Sequence, residues 1–204
     1  LSHPIEDRKK LNGGTYQDEV EHIISFDPRN KFIRNLALSL KGNTLILYAY
    51  VEKHGEVLHD IIRDKAGERK VFFVHGGVDG AERESIRGIV EKETDAIIVA
   101  SYGTFSTGIN IKNLHNVIFA SPTKSRIRTL QSIGRGLRIS DTKDSMTLFD
   151  IADDLSYNKK KNYTLNHLIE RVKMYSSEGF PYELHNIKLR SDNGTGRSLF
   201  SEDE

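Results

Sequence analysis

Cysteine is absent from the 204 residues, which excludes disulfides, zinc-thiolate sites and thiol catalysis and fits a cytoplasmic setting. Long apolar runs are missing too. The longest, Thr44–Val51 and Ala96–Ala100, are far too short to span a bilayer, and no basic-then-apolar segment opens the chain, so the expectation is a soluble protein. Nor does charge of one sign dominate. Thirty basic side chains against 29 acidic ones leave a net charge of +1. Any affinity for nucleic acid therefore has to come from a local patch rather than a global field. The eight histidines show no ligand spacing with carboxylates, and no metal site is expected.

Short apolar runs alternate with helix-length polar segments, the pattern of βαβ units around a parallel sheet buried on both faces. The fold class expected is α/β, an open parallel sheet of about five or more strands with helices on both faces and a C-terminal helix and tail. Strands are predicted at Leu45–Ala49, Val71–Val74, Ala96–Ala100, Asn116–Ala120 and Met146–Ile151. Helices are predicted where apolar residues recur at helical spacing. One has Asp27 as its cap, Pro28 in its first turn and Phe32, Ile33, Leu36, Ala37 and Leu40 on its stripe, and it is ended by Gly42. Others run from Glu56 to Asp64, over residues 81–93, and from Leu165 to Tyr175. Residues 1–26 have weak periodicity and contain Asn12-Gly13-Gly14; they read as a linker from a preceding domain, with one short strand at His22–Phe26. The main domain then spans 27–157, a helical extension 158–190, and a polar, acidic-ended tail 191–204 is expected to be disordered.

From Pro122 to Arg138 the chain carries five cations, Lys124, Arg126, Arg128, Arg135 and Arg138, and no acid. On a helix Gln131, Arg135 and Arg138 project from one side, so they can converge on one phosphate, whose oxygens match the guanidinium fork. A basic run by itself is more often a solvated face. The glutamine, glycine and two arginines at this spacing favour the functional reading.

Gln131-x-x-Gly134-Arg135-x-x-Arg138 resembles motif VI of superfamily 2 helicases, Q-x-x-G-R-x-x-R. Ala96-Ile-Ile-Val-Ala100-Ser101 leading to Gly108-Ile109-Asn110-Ile111 is similar to motif V of the same family. Thr44–Tyr50 resembles motif IV, and Val71-Phe-Phe-Val-His75-Gly76-Gly77 resembles motif IVa, so the likeness covers roughly residues 28–155. In its tail, at Asn166-His167-x-x-x-Arg171 and Met174-Tyr175, the chain is most similar to phage recombination helicases within that superfamily.

The resemblance implies a RecA-like fold, the second of two such halves, with Gln131, Arg135 and Arg138 as catalytic residues acting as arginine fingers toward the γ-phosphoryl of ATP. It implies nucleotide contacts from Gly108, Asn110 and Gly134, and contacts with the nucleic-acid backbone from Gly76, Ser101 and Thr104. Asn110 stands where many relatives carry aspartate, and the segment between the strand ending at Ser101 and Gly108 is a residue longer than in many of them, so Thr104 to Thr107 are not matched to the family one by one. Ser101 and Thr104 fit ordinary strand-end turn chemistry equally well. His75 reads as a hydrogen-bonded structural residue, which leaves Gly76 as the better contact.

No G-x-x-x-x-G-K-[ST] loop occurs, and Asp18-Glu19-Val20-Glu21-His22 has the wrong spacing for a magnesium-binding acidic box. ATP and Mg²⁺ are therefore expected to be bound mainly by a first RecA-like domain outside this sequence, and the chain alone is expected to be inactive as an ATPase. The partners implied are that domain and branched DNA, RNA–DNA hybrid or single-stranded nucleic acid, in the cytoplasm of a bacterial host. A noncatalytic nucleic-acid-binding module remains the alternative. Lys159-Lys160-Lys161 reads either as an accessory electrostatic contact or as solvated surface.

Overall fold

The computed structural model describes residues 1–77, 79–106, 113–122 and 146–190. Strands β1 (Thr44–Tyr48), β2 (Val71–Val74), β3 (Ile97–Ser101), β4 (Asn116–Phe119) and β5 (Thr147–Asp150) form one sheet in the order β2-β3-β1-β4-β5. Every pairing is parallel, with Ile46 of β1 opposite Val99 on one side and Ile118 on the other. All strand carboxyl ends thus meet at one edge. The expected α/β architecture and all five strands are present, each within a residue or two of its predicted bounds.

Because side chains alternate along a strand, each strand feeds two cores. Ile46 and Tyr48, Ile97 and Val99, and Ile118 pack under α3 (Asp27–Ser39) and α4 (Glu56–Arg63), against Phe32, Ile33, Leu58 and Ile62. Leu45 and Leu47, Ile98, and Val117 and Phe119 pack on the other face against Val90 of α5 (Gly80–Val90) and Tyr175 of α7 (Tyr163–Ser177). A short helix α6 (Tyr102–Ser106) follows β3 directly.

The structure corrects two expectations near the start of the chain, the strand at His22–Phe26 and the Asp27 cap of α3. His22–Phe26 is not a strand. Residues 1–26 form α1 (Ile5–Leu11) and α2 (Tyr16–Ser25), with Val20, Ile23 and Ile24 of α2 buried. Their spacing of three and four is helical, but the carboxylates and histidine around them masked it. The start of α2 is built by a capping box, Thr15 Oγ1 accepting from Asp18 N (3.2 Å) while Thr15 N donates to Asp18 Oδ2 (2.7 Å). In α3 the cap is Phe26 rather than Asp27. Asp27 is already helical and pairs with Lys31 at 2.7 Å, with Pro28 in the first turn as expected.

The acidic run has a structural use. Glu19 is buried, and its carboxylate accepts from Tyr163 N (2.9 Å) and Thr164 N (2.7 Å), so a side chain of α2 caps the amino end of α7. Ser2 adds bridges to Asp154 and Lys188. The first residues and the C-terminal extension therefore pack on each other and on the sheet. The predicted tail, 191–204, lies outside the described residues.

Candidate nucleic-acid interface

The strand carboxyl ends, where an open parallel sheet binds its ligands, carry the three sequence-predicted site residues that are described, Gly76, Ser101 and Thr104. β2 runs into His75-Gly76-Gly77. His75 packs against Phe73 (ring centroids 5.2 Å apart) and accepts from Gly77 N at 3.1 Å, so it shapes the loop. Gly76 is exposed, and a Cβ added there would meet nothing within 4 Å. The fold makes no use of its missing side chain, whereas a backbone ligand approaching closely would.

β3 ends at Ser101. Its Oγ lies 2.7 Å from Thr104 Oγ1 and accepts from Thr104 N at 3.2 Å, and both side chains are buried. This is strand-end capping chemistry, the bland reading of the pair, and it fixes the turn on which exposed Gly103 sits.

β1 ends against a π-helical turn, Val51–Gly55, closed by Gly55 N donating to Tyr50 O at 2.8 Å. The cause is Tyr48. Its ring stacks on Phe73 and lies where a Cβ on residue 55 would come within 2.5 Å, so only glycine fits there. Its hydroxyl donates to Val74 O at 3.3 Å, and burial raises its pKa.

The turn swings His54 inward, into a polar cluster that the sequence reading missed. Ser121 Oγ, just after β4, accepts from Ala49 N (3.0 Å) and lies 2.7 Å from His54 Nδ1. His54 Nε2 lies 3.2 Å from Asn30 Oδ1, and Asn30 Nδ2 donates to Ile24 O at 2.9 Å. The assignment that satisfies every atom is a neutral imidazole, protonated on Nε2 and accepting from the serine. Burial, with the neighbouring positive charge of Arg29, pushes His54 down to about 3.

Arg29 itself is fully buried, its Nε donating to Asp153 Oδ1 at 2.8 Å, and His3 Nε2 lies 2.9 Å from the same oxygen. Burial acts to raise the Asp153 pKa. The Arg29 charge and the hydrogen bonds from His3 and Arg29 outweigh it and hold the carboxyl below the usual range. Both Nη atoms of Arg29 are buried without a hydrogen-bond partner. A signal for this cluster was available. Arg29 precedes Ile33 by four residues and Leu36 by seven, which puts a charge on the buried stripe of α3.

Gly108, Asn110, Gln131, Gly134, Arg135 and Arg138 lie outside the described residues. In sequence, Gly108 and Asn110 follow α6, and the arginine segment follows Pro122 at the end of β4. Among the described residues no group of three or more His, Asp or Glu could hold a metal ion, and no helix is long and apolar enough to cross a membrane.

Residues 27–140 match the helicase conserved C-terminal domain family. The ATP-dependent DNA helicase UvsW of Enterobacteria phage T4 is 39% identical over 202 residues, covering 93% of this chain and 40% of the phage protein. The chain thus spans about two fifths of that relative. The crystal structure of T4 UvsW superposes with a TM-score of 0.78 over the same shares. The C-terminal domain of the DEAD-box protein Dbp5 is 13% identical and superposes with a TM-score of 0.59, over 81% of this chain and 86% of that domain, a likeness of fold alone. The RecA-like α/β fold expected from the motifs is the fold observed.

Proposed function

This chain belongs to the helicase conserved C-terminal domain family, and on that premise we propose that it is the second RecA-like half of an ATP-dependent DNA or RNA–DNA helicase or branch-migration translocase. The observation that carries the reading is the pair of arginines: Gln131-x-x-Gly134-Arg135-x-x-Arg138 stands inside the family match, in a stretch of five cations and no acid. In this reading residues 1–26 enter from a first RecA-like domain, 27–157 form the second, 158–190 extend it, and 191–204 are a disordered tail.

The division of labour follows from the chemistry. Arg135 and Arg138, with Gln131, neutralise the charge that grows on the γ-phosphoryl during transfer, an effect of roughly 10³ to 10⁵ in rate for arginine fingers generally. Gly108, Asn110 and Gly134 approach the nucleotide. Gly76 and the turn that Ser101 and Thr104 build grip the nucleic-acid backbone through main-chain amides, which read no base and so permit translocation. The described residues do not fit a magnesium site: Asp150, the carboxylate closing β5, is taken by Arg171 (2.6 Å) and Tyr175 (2.7 Å). Mg²⁺ and most contacts to ATP accordingly belong to the first domain, and this chain alone does not hydrolyse ATP. The partners are that first domain and branched DNA or RNA–DNA hybrid, with recombination, repair and replication as the settings that use such a translocase.

The test joins this chain to a first RecA-like domain carrying the phosphate loop and measures phosphate release with and without DNA. The joined protein is expected to show DNA-stimulated hydrolysis, and Arg138→Ala to lower it by about 10³-fold or more with the fold intact. Full turnover in that variant would sink the finger assignment. DNA binding without hydrolysis in the joined protein would favour a noncatalytic binding module.

A further inference from the structure

Outside the strand-end site the chain has a second basic feature, and the structure gives it a shape. After β5 the backbone turns back on itself, with Tyr157 N donating to Lys160 O (3.2 Å) and Lys160 N to Tyr157 O (3.0 Å). The two residues at the tip, Asn158 and Lys159, have φ of 48° and 64°. That is the mirror-image turn normally filled by Asn-Gly. Lysine in the glycine place is strained, and strain of this kind is kept where a side chain is needed.

Facing the hairpin is the turn between α1 and α2, and the two enclose a cleft of about 180 Å³. Its lining includes Lys160, Lys161, Tyr157, Tyr163, Asn12 and Asn166. All three lysines are exposed, and among the described residues none of them makes an ion pair. Glu19 also lines the cleft, but its carboxylate is spent on the amino end of α7, on Tyr163 N and Thr164 N. The cleft therefore offers uncompensated ammonium groups beside an exposed tyrosine ring, 47% accessible, and two side-chain amides. Ammonium donors for phosphate next to an aromatic face for a base are the combination that binds single strands without reading sequence.

We propose that this cleft and the hairpin tip beside it form an accessory nucleic-acid site, in which Lys160 and Lys161 in the cleft and Lys159 at the tip take backbone phosphates and Tyr163 offers its face to a base. It rests on the nucleic-acid reading above. It also extends that reading: the hairpin comes after β5, at one end of the strand order, whereas Gly76 follows β2 at the other. Neighbouring strands are about 4.8 Å apart, which separates the ends of β2 and β5 themselves by roughly 19 Å. The C-terminal extension is then part of the track rather than packing alone.

The experiment measures binding of a fluorescein-labelled 20-nucleotide DNA strand to the 204-residue chain by anisotropy across a salt series. Substituting Lys159, Lys160 and Lys161 together by Ala is expected to weaken binding by about tenfold or more near 0.05 M salt, and to lower the slope of log K against log salt by about 2, since each phosphate contact on a single strand contributes about 0.7. A charge-matched control, Lys41→Ala, Lys65→Ala and Lys92→Ala, removes as many cations from the opposite sheet edge and should change neither. Lys159→Gly relaxes the turn while deleting one contact, so it should unfold at higher temperature yet lose about 0.7 of slope. Equal weakening by both triple variants would overturn the cleft site and leave the helicase reading standing. Absence of binding by the unaltered chain would overturn both.

Discussion

The two edges of the sheet use polar residues in opposite ways. At the amino edge the buried polar side chains are spent chiefly on the fold itself. Asn43, fully buried, accepts from Ala96 N (2.8 Å) and donates to Glu93 O (2.8 Å) and Asn113 O (3.2 Å), tying the entries to β1, β3 and β4 together. Arg69 spends its guanidinium on Asp95 O (2.9 Å), Ala37 O (3.1 Å) and Gly42 O (3.1 Å). Gly42 takes a positive φ of 85°, and a Cβ there would come within 2.6 Å of the His115 ring. At the carboxyl edge the polar groups also pair, as Ser101 does with Thr104, but they leave Gly76 with open space in front of it. One edge closes the fold; the other, in the proposed function, holds loops in place for a ligand. An arginine is thus no sign of function by its type. Arg69 and Arg29 are structural, and what distinguishes Arg135 and Arg138 is the pattern around them.

The largest effect should come from the closed edge. Asn43→Ala strands Ala96 N and the carbonyls it served, and leaving such groups unpaired costs about 3 kcal/mol in sum. Urea unfolding should show a lower midpoint at unchanged slope, while the folded variant binds DNA as before. A shift well under 1 kcal/mol, or DNA binding lost from folded protein, would break the division between the edges.

The next effect lies at the carboxyl edge and depends on pH. His54 titrates at about 3 in the fold against 6.5 when free. Between those values the unfolded chain binds a proton that the folded chain excludes, so stability is full above 6.5 and falls as pH drops toward 3. Between pH 8 and pH 5 this one histidine removes about 2 kcal/mol. His22 and His59, also lowered, add to the same trend. Asp153 acts elsewhere: its depressed pKa gives stability that is present above the usual carboxylate value near 3.8 and lost below it. His54→Gln should therefore be less stable at pH 8, for want of its pairing with Ser121, yet should lose about 2 kcal/mol less on going to pH 5. Parallel stability curves for the two proteins would remove His54 from the account.

How far the sequence reveals these two edges depends on what sets each residue. The strands were legible because a strand buried on both faces must be apolar throughout, as Leu45-Ile46-Leu47 and Ile97-Ile98-Val99 are. Gly76 and the Ser101 turn were legible through their motif and their place after a strand. The π-turn was not, because Val51–Gly55 carries no local signature. It exists to make room for the Tyr48 ring, a contact known only once the chain is folded. The same holds for Glu19, read as a rejected metal ligand and found capping a helix that starts 144 residues further on. Long-range polar pairing leaves no period in a sequence. The residues proposed to face the nucleotide, Gly108 to Asn110 and Gln131 to Arg138, were legible as motifs alone and lie outside the described residues.

The smallest predicted change in stability gives the sharpest test of the open edge, because stability and binding should move in opposite directions. Gly76 has an ordinary φ and nothing within 4 Å of an added Cβ, so alanine fits without strain. Restricting the unfolded chain then stabilises the fold by about 0.5 kcal/mol. If Gly76 is there to let a phosphate backbone approach, the same methyl stands in the ligand's way, and DNA affinity should fall about tenfold. Gly88, within α5 and equally open, supplies the control. Gly88→Ala should stabilise by up to about 1 kcal/mol through helix propensity and leave DNA binding unchanged. Should Gly76→Ala bind DNA as the unaltered chain does, the loop after β2 is not part of the interface, and the carboxyl edge narrows to β3 and the segments that follow β3 and β4.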